Sequence, residues 1–194
     1  MSVHRSASAE ASLRLWGAAL RRAAARRRTC VAAVGLAAAA CAAVVAPLAV
    51  PVRPRLVWNA SASAPIGFYR ITPAHDLRIG DWVVALPPQP VQALADRRRY
   101  LPLGVPLVKQ VAGVAGDEIC AVGPLIVRNG EPLVRRRVRD AAARLLPWWT
   151  GCETLARGQY LLVTRGVANS FDGRYFGPTE SQDIIGRGVP LWTR

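Results

Sequence analysis

Lysine is almost missing from this chain: of 26 basic residues only Lys109 is a lysine, and the others are arginines. Charge alone therefore gives no reason for an amine at that position. A guanidinium keeps its proton at any working pH, whereas a lysine desolvated among apolar neighbours can lose its proton and serve as a base. Histidine is nearly as scarce, with two residues, His4 and His75, so a histidine-rich metal site cannot be built. A Ser-His-Asp triad would have to use His75, in a Thr-Pro-Ala-His-Asp loop. The four cysteines show no Cys-x-x-Cys spacing and no zinc pattern, so neither metal nor cofactor is expected. Acidic residues number 12 against 26 basic, a formal charge of +14. The arginine runs at 97–99 and 135–137 lack interleaved aromatics and a helix-turn-helix pattern, so nucleic acid is not an expected partner.

Charge of either sign is also missing from Cys30 to Val52, a run of Val, Ala, Leu, Gly and Cys with Pro47 and Pro51 near its end. It suffices for the about 20 residues of a spanning helix. Residues 1–28 carry seven arginines and one acid, Glu10, and a longer domain follows the run. The positive-inside rule then places the N-terminus in the cytoplasm and the domain on the far side of the membrane. Ala-x-Ala sequences within the run leave a cleavable signal peptide as the competing reading. The run exceeds a usual h-region of about 7–15 residues, which favours an uncleaved anchor. The expected organisation is a basic cytoplasmic tail over 1–29, an anchor over 30–52 and a domain over 53–194 beyond the membrane. Cys30 and Cys41 read as small buried hydrophobes. Cys120 and Cys152 fall in the domain and, outside the cytoplasm, are free to pair as a disulfide.

Beyond Val52 the texture becomes short apolar runs between glycines and prolines. Leu56–Trp58, Phe68–Ile71, Trp82–Leu86, Leu107–Val111, Ile119–Val122, Leu125–Arg128, Tyr160–Val163 and Ile184–Trp192 read as strands. Asn129-Gly130 after the sixth of these predicts a type I′ hairpin, which needs positive φ. Residues 87–105, rich in proline and arginine, read as an exposed loop, and Asp140–Leu146 as a short helix. The fold class expected is a mainly β domain tethered by one helix. Leu145-Leu146-Pro147-Trp148-Trp149 is a candidate to dip into a headgroup layer.

A lysine base needs a nucleophile, and Ser61-Ala62-Ser63-Ala64-Pro65-Ile66-Gly67-Phe68-Tyr69 offers one at the start of a strand. Lys109 is followed by Val111, Gly113 and Gly116-Asp117, and a third segment reads Asn169-Ser170-Phe171-Asp172-Gly173-Arg174-Tyr175-Phe176-Gly177-Pro178. Gly80-Asp81 precedes the Trp82 strand. Taken in this order after one apolar run, the segments resemble the signal peptidase I family of serine–lysine membrane proteases. Within it they are most similar to the conjugative-transfer TraF-type maturation peptidases, over roughly residues 56–190. Two departures stand out: Gly173 occupies the place of a usual serine, and Ala115 that of a frequent proline.

The resemblance implies a signal-peptidase-like β domain in which Ser63 is the nucleophile and Lys109 its base. It further implies an oxyanion site made by the Ser63 N–H and the Ser61 hydroxyl, Ser170 orienting the amine, and an Asp172–Arg174 ion pair bracing the site. Ser63 lies 11 positions beyond Val52. At about 3.3–3.6 Å per residue, even an extended link keeps it near the bilayer. The function that the resemblance implies is an endopeptidase in the periplasm, anchored in a bacterial inner membrane and processing membrane-tethered precursors, a pilin or another component of a conjugation or type IV secretion system, bound as an added strand. A general signal peptidase with many clients and a catalytically silent periplasmic scaffold are the alternatives.

Overall fold

A computed structural model describes residues 3–49 and 54–194, which fall into two units, Met1–Val52 and Arg53–Arg194. The first is a single helix, α1, Val3–Ala49, so the basic tail and the apolar run share one helix. Its stretch Trp16–Ala46 is long and apolar enough to cross a membrane, with a mean hydropathy of 2.3 over its most apolar window. The end of the expected anchor, residues 50–52, and the first residue of the expected domain lie outside the described residues.

The second unit is mainly β, as expected. One antiparallel sheet has seven strands in the order β1 (Leu56–Asn59), β2 (Gly67–Thr72), β11 (Ile184–Thr193), β3 (Trp82–Ala85), β4 (Leu107–Gly113), β9 (Gln159–Leu162) and β10 (Thr179–Glu180). A second has four, ordered β7 (Glu131–Arg135), β6 (Leu125–Arg128), β5 (Glu118–Val122) and β8 (Gly151–Thr154). Asn129 and Gly130 join β6 to β7 with φ of 51° and 82°, the positive pair that the hairpin requires.

β4 is central and buried along most of its length, which suits its run of Val, Ala and Gly. Its Val111 packs with Val83 and Leu162, its Val108 with Ala64, Tyr69 and Val84, and its Ala112 faces Ile119, Ile126 and Leu161. The lysine thus sits on the strand that joins all three clusters, and the nucleophile loop rests on one of them through Ala64.

Two local expectations give way. Residues 87–105 are not all loop: Gln89–Arg97 forms a helix, α2, with proline in its first turn, where a missing N–H costs nothing. Conversely, Asp140–Leu146 is not a helix. The Asp140 carboxylate accepts from the Ala142 and Arg144 N–H groups, and Ala143 takes φ 59°, so side-chain bonds capture the backbone that a helix needs.

Candidate active site

Asn59 and Tyr69 shape the loop that carries Ser63. The buried Asn59 amide donates to the carbonyls of Ser61, Ala64 and Pro65 at 2.9, 3.1 and 3.1 Å, and the Tyr69 hydroxyl donates to Pro65 at 2.7 Å. Gly67 ends the loop with φ 154°, and a Cβ there would lie 1.9 Å from the Trp192 carbonyl oxygen. No other residue fits at that point.

Lys109 projects from β4 into this loop. Its Nζ lies 2.5 Å from Ser63 Oγ and 3.0 Å from Ser170 Oγ, both at donor–acceptor distance. The amine is buried, and desolvation pushes its pKa down from 10.5 to about 8, with the Asp172 charge pulling it up and Arg174 pushing it further down. Ser61 Oγ stands 2.7 Å from Ser63 Oγ and 3.4 Å from the Ser63 nitrogen. Thus Ser61, Ser63, Lys109 and Ser170, from three segments far apart in sequence, meet at one point.

Asp172 and Arg174 lie just behind it, both fully buried. Arg174 Nε and Nη2 meet the two Asp172 oxygens at 2.7 and 3.0 Å, a bidentate pair. Arg174 also donates to the carbonyls of Thr164 (2.8 Å) and Arg135 (3.3 Å), and Asp172 accepts from the Thr164 and Arg174 N–H groups. The pair holds the short helix α3, Gly173–Phe176, against the end of β9. At Gly173 a Cβ would lie 2.9 Å from the Leu162 carbonyl oxygen, so glycine permits this close approach. Despite Ala115, the Val114–Asp117 turn closes through Asp117 N–H to the Val114 carbonyl and Val114 N–H to the Asp117 carboxylate.

Two clefts flank the serine and share Ala62 and Val167. One, about 500 Å³, is walled by Ser63, Lys109, Tyr100, Arg137, Arg139 and Phe171, among others, and the other, about 380 Å³, by Ala64, Gln110, Thr164 and Arg165. β4 pairs with β3 from Leu107 to Gln110, but towards β9 its bonds begin only at Gln110, whose carbonyl accepts from Val163. Among the described residues, Leu107–Lys109 therefore keeps one open strand edge beside the clefts. His75 is exposed in a loop, its carbonyl accepting from Arg187, and it lines neither cleft.

A family model described as signal peptidase, peptidase S26, matches residues 24–192. The chain belongs to this family. A plasmid transfer protein TraF of Escherichia coli is 32% identical over 146 residues, covering 69% of this chain and 82% of its own. A probable conjugal transfer protein TraF of Sinorhizobium fredii is 30% identical over 145 residues, 70% and 76% of the two chains. A signal peptidase I of Leptolyngbya laminosa is 27% identical over 112 residues, 58% of this chain and 51% of its own. Among solved structures, a signal peptidase I from Enterococcus faecalis V583 matches 59% of this chain and 97% of its own at 17% identity, with a TM-score of 0.35.

Around this peptidase-family core, Cys120 and Cys152, Cα partners on β5 and β8, are joined as a disulfide, while Cys30 and Cys41 are free and exposed on α1. Trp149 packs against the cluster around Ile119, and Trp148 lies under the Arg136 guanidinium, 3.7 Å from its ring centre. Tyr100, Arg137 and Arg139 had no signal in the sequence as site residues, because contacts between distant segments bring them here; Asn59 had none because its role appears only in the local pairing of β1 with β2, and Tyr69 was marked only as the end of the Ser63 segment.

Proposed function

We propose that this chain is a membrane-anchored serine endopeptidase with a Ser63–Lys109 dyad that processes exported precursors of a conjugation apparatus. The observation that carries the reading is the 2.5 Å approach of a buried amine, with its pKa near 8, to Ser63 Oγ. Neutral Lys109 takes the Ser63 proton as Oγ attacks the scissile carbonyl, and the Ser63 N–H and Ser61 hydroxyl receive the oxyanion. Such donors are worth about 2.7–4 kcal/mol each. Protonated Lys109 then gives its proton to the leaving amine as the C–N bond breaks. The acyl-enzyme is hydrolysed by a water whose proton passes to Lys109, and Ser63 leaves with that proton. Ser170 holds the amine in line throughout.

The open edge of β4 at Leu107–Lys109 suits an extended peptide added as a strand, its scissile bond passing Ser63 between the two clefts. Names of the relatives favour a specialised conjugation role, on a pilin or another component of the transfer machinery, over a general signal peptidase. Helix α1 suits anchorage in the inner membrane with the β unit in the periplasm, where the disulfide is stable.

The test is Lys109→Arg beside Ser63→Ala in the membranes of donor cells. Both variants are expected to keep their membrane location and lose precursor processing by on the order of a hundredfold or more. Conjugative transfer should fall with it, while unrelated secreted proteins mature normally. Normal processing by Lys109→Arg would reduce the lysine to a cation and leave the scaffold reading. Accumulation of many unprocessed secretory precursors would mark a general signal peptidase instead.

A further inference from the structure

The arginine run after β7 splits into two kinds of residue. Arg136 is buried: Nε and Nη2 donate to the Gly123 carbonyl at 3.1 and 2.9 Å, and its guanidinium covers Trp148, which is a structural assignment. Arg137 and Arg139 are exposed and wall the cleft that holds Ser63 and Lys109. The Arg137 main-chain N–H donates to the Tyr175 hydroxyl at 3.1 Å and its Nη1 to Asn169 Oδ1 at 2.5 Å. Arg139 Nη1 donates to the Ala143 carbonyl at 2.5 Å. Each guanidinium is thus oriented by one anchor while its other N–H groups stay uncommitted, and neither forms an ion pair with a carboxylate among the described residues.

Asp140, which also lines the cleft, does not neutralise them. It accepts from the Tyr100 hydroxyl and from Arg144 Nε at 2.7 Å; these bonds, led by Tyr100, hold its pKa well below the usual range and so keep it ionised, and its charge is met by Arg144 rather than by Arg137 or Arg139. Much of the remaining wall is apolar or aromatic, including Leu107, Leu146 and Phe171. In a chain with one lysine, the choice of arginine carries no information. The placement does: two oriented, unpaired guanidinium groups in a largely apolar cleft beside a nucleophile are matched to an anionic group of whatever binds there.

Resting on the Ser63–Lys109 reading, we propose that Arg137 and Arg139 are specificity-determining residues that bind a carboxylate of the peptide substrate close to its scissile bond. The carboxylate belongs either to an acidic side chain or to the end of the substrate chain. Binding needs no covalent step, so the assay uses the full-length Ser63→Ala chain in detergent micelles. Fluorescent peptides of small residues carry one Glu or Gln at each position in turn, with free or amidated C-termini.

The expected result is a preference of on the order of tenfold for one carboxylate-bearing peptide over its neutral twin. That ratio falls towards one in the Arg137→Gln/Arg139→Gln double variant and inverts in Arg139→Glu. Arg157→Gln, an exposed arginine outside both clefts, should keep the ratio. A preference that follows the side-chain Glu identifies an internal acidic residue, and one abolished by amidation identifies a chain terminus. Either supports the carboxylate wall. Equal binding of acidic and neutral peptides, no binding of any peptide, or a preference that persists in the double variant overturns it. If the chain with Ser63 intact cleaves none of the peptides that bind selectively, the peptidase reading fails while the carboxylate wall stands.

Discussion

A buried amine is costly before it is useful, and Lys109 shows how much. Burial lowers its pKa from 10.5 to about 8. At neutral pH the folded chain therefore holds a proton that its surroundings disfavour, at a cost of about 3 kcal/mol. Between pH 8 and 10.5 the unfolded chain binds the proton and the folded chain releases it, so stability rises with pH across that window. Below pH 8 both states are protonated and the cost is fully present. Lys109→Met, of similar volume and without a charge, should raise stability at pH 7 by about 1–3 kcal/mol while abolishing processing. The gain should shrink towards pH 10, as read from urea midpoints in detergent at several pH values. A less stable Lys109→Met chain at pH 7 would show that the burial cost is absent. On the proposed Ser63–Lys109 reading, processing by the parent chain should climb through about pH 8 as the amine becomes neutral.

Strand β8 shows how one covalent link can support a cleft wall. Its four residues are all exposed, and it pairs only with β5, so burial contributes little to its place. The Cys120–Cys152 bond closes a loop with a sequence separation of 32, and that loop contains Arg137, Arg139, Asp140 and Leu146 of the cleft. By the chain-entropy account the bond contributes about 3–4 kcal/mol. The double change Cys120→Ser/Cys152→Ser should lower stability by up to that amount. It should also speed amide exchange in Gly151–Thr154, while the Asp172–Arg174 network keeps its protection. Unchanged exchange in β8 would show that its hydrogen bonds alone hold it. Elements differed in how readable they were. The β6–β7 hairpin was legible because Asn129-Gly130 encodes its own φ angles, and β4 because an unbroken apolar run fits a buried strand. Helix α2 was missed because its prolines read as breakers, although proline suits a first turn. Asp140–Leu146 has helical composition, but Asp140 bonds its own backbone. Ser63 and Lys109 were singled out by motif and rarity, and the fold brings their side chains to 2.5 Å. Asn59, Arg137 and Arg139 were not, because an asparagine in a turn or an arginine in a run looks the same whether or not folding carries it to a site.

At the scale of the molecule, the outer strands of the larger sheet leave uncovered a surface that soluble proteins usually bury. Trp58 and Trp192 are both Cα partners of Phe68 on adjoining strands, with ring centres 4.7 Å apart for Trp58–Phe68 and 6.2 Å for Trp58–Trp192. All three rings are at least 41% exposed, and Leu56 and Leu191 beside them in sequence are more than half exposed. A contiguous aromatic patch of this kind marks an interaction surface, and tryptophan in particular favours the membrane–water interface. The net charge of residues 53–194, +8 from 19 basic and 11 acidic residues, adds attraction to anionic lipid headgroups. The patch, rather than the Trp148–Trp149 segment with its packed Trp149 and arginine-covered Trp148, is the surface we expect to touch lipid. In a full-length Trp16→Phe chain, which lacks the tryptophan that opens the membrane-length stretch, reconstituted into anionic vesicles, lipids brominated near the headgroup should quench part of the tryptophan emission. Trp58→Phe/Trp192→Phe should remove most of the quenchable part, whereas Trp148→Phe should leave it. If quenching survives the double change and disappears with Trp148→Phe, the bilayer lies against the 145–149 segment and the aromatic patch faces a protein partner instead.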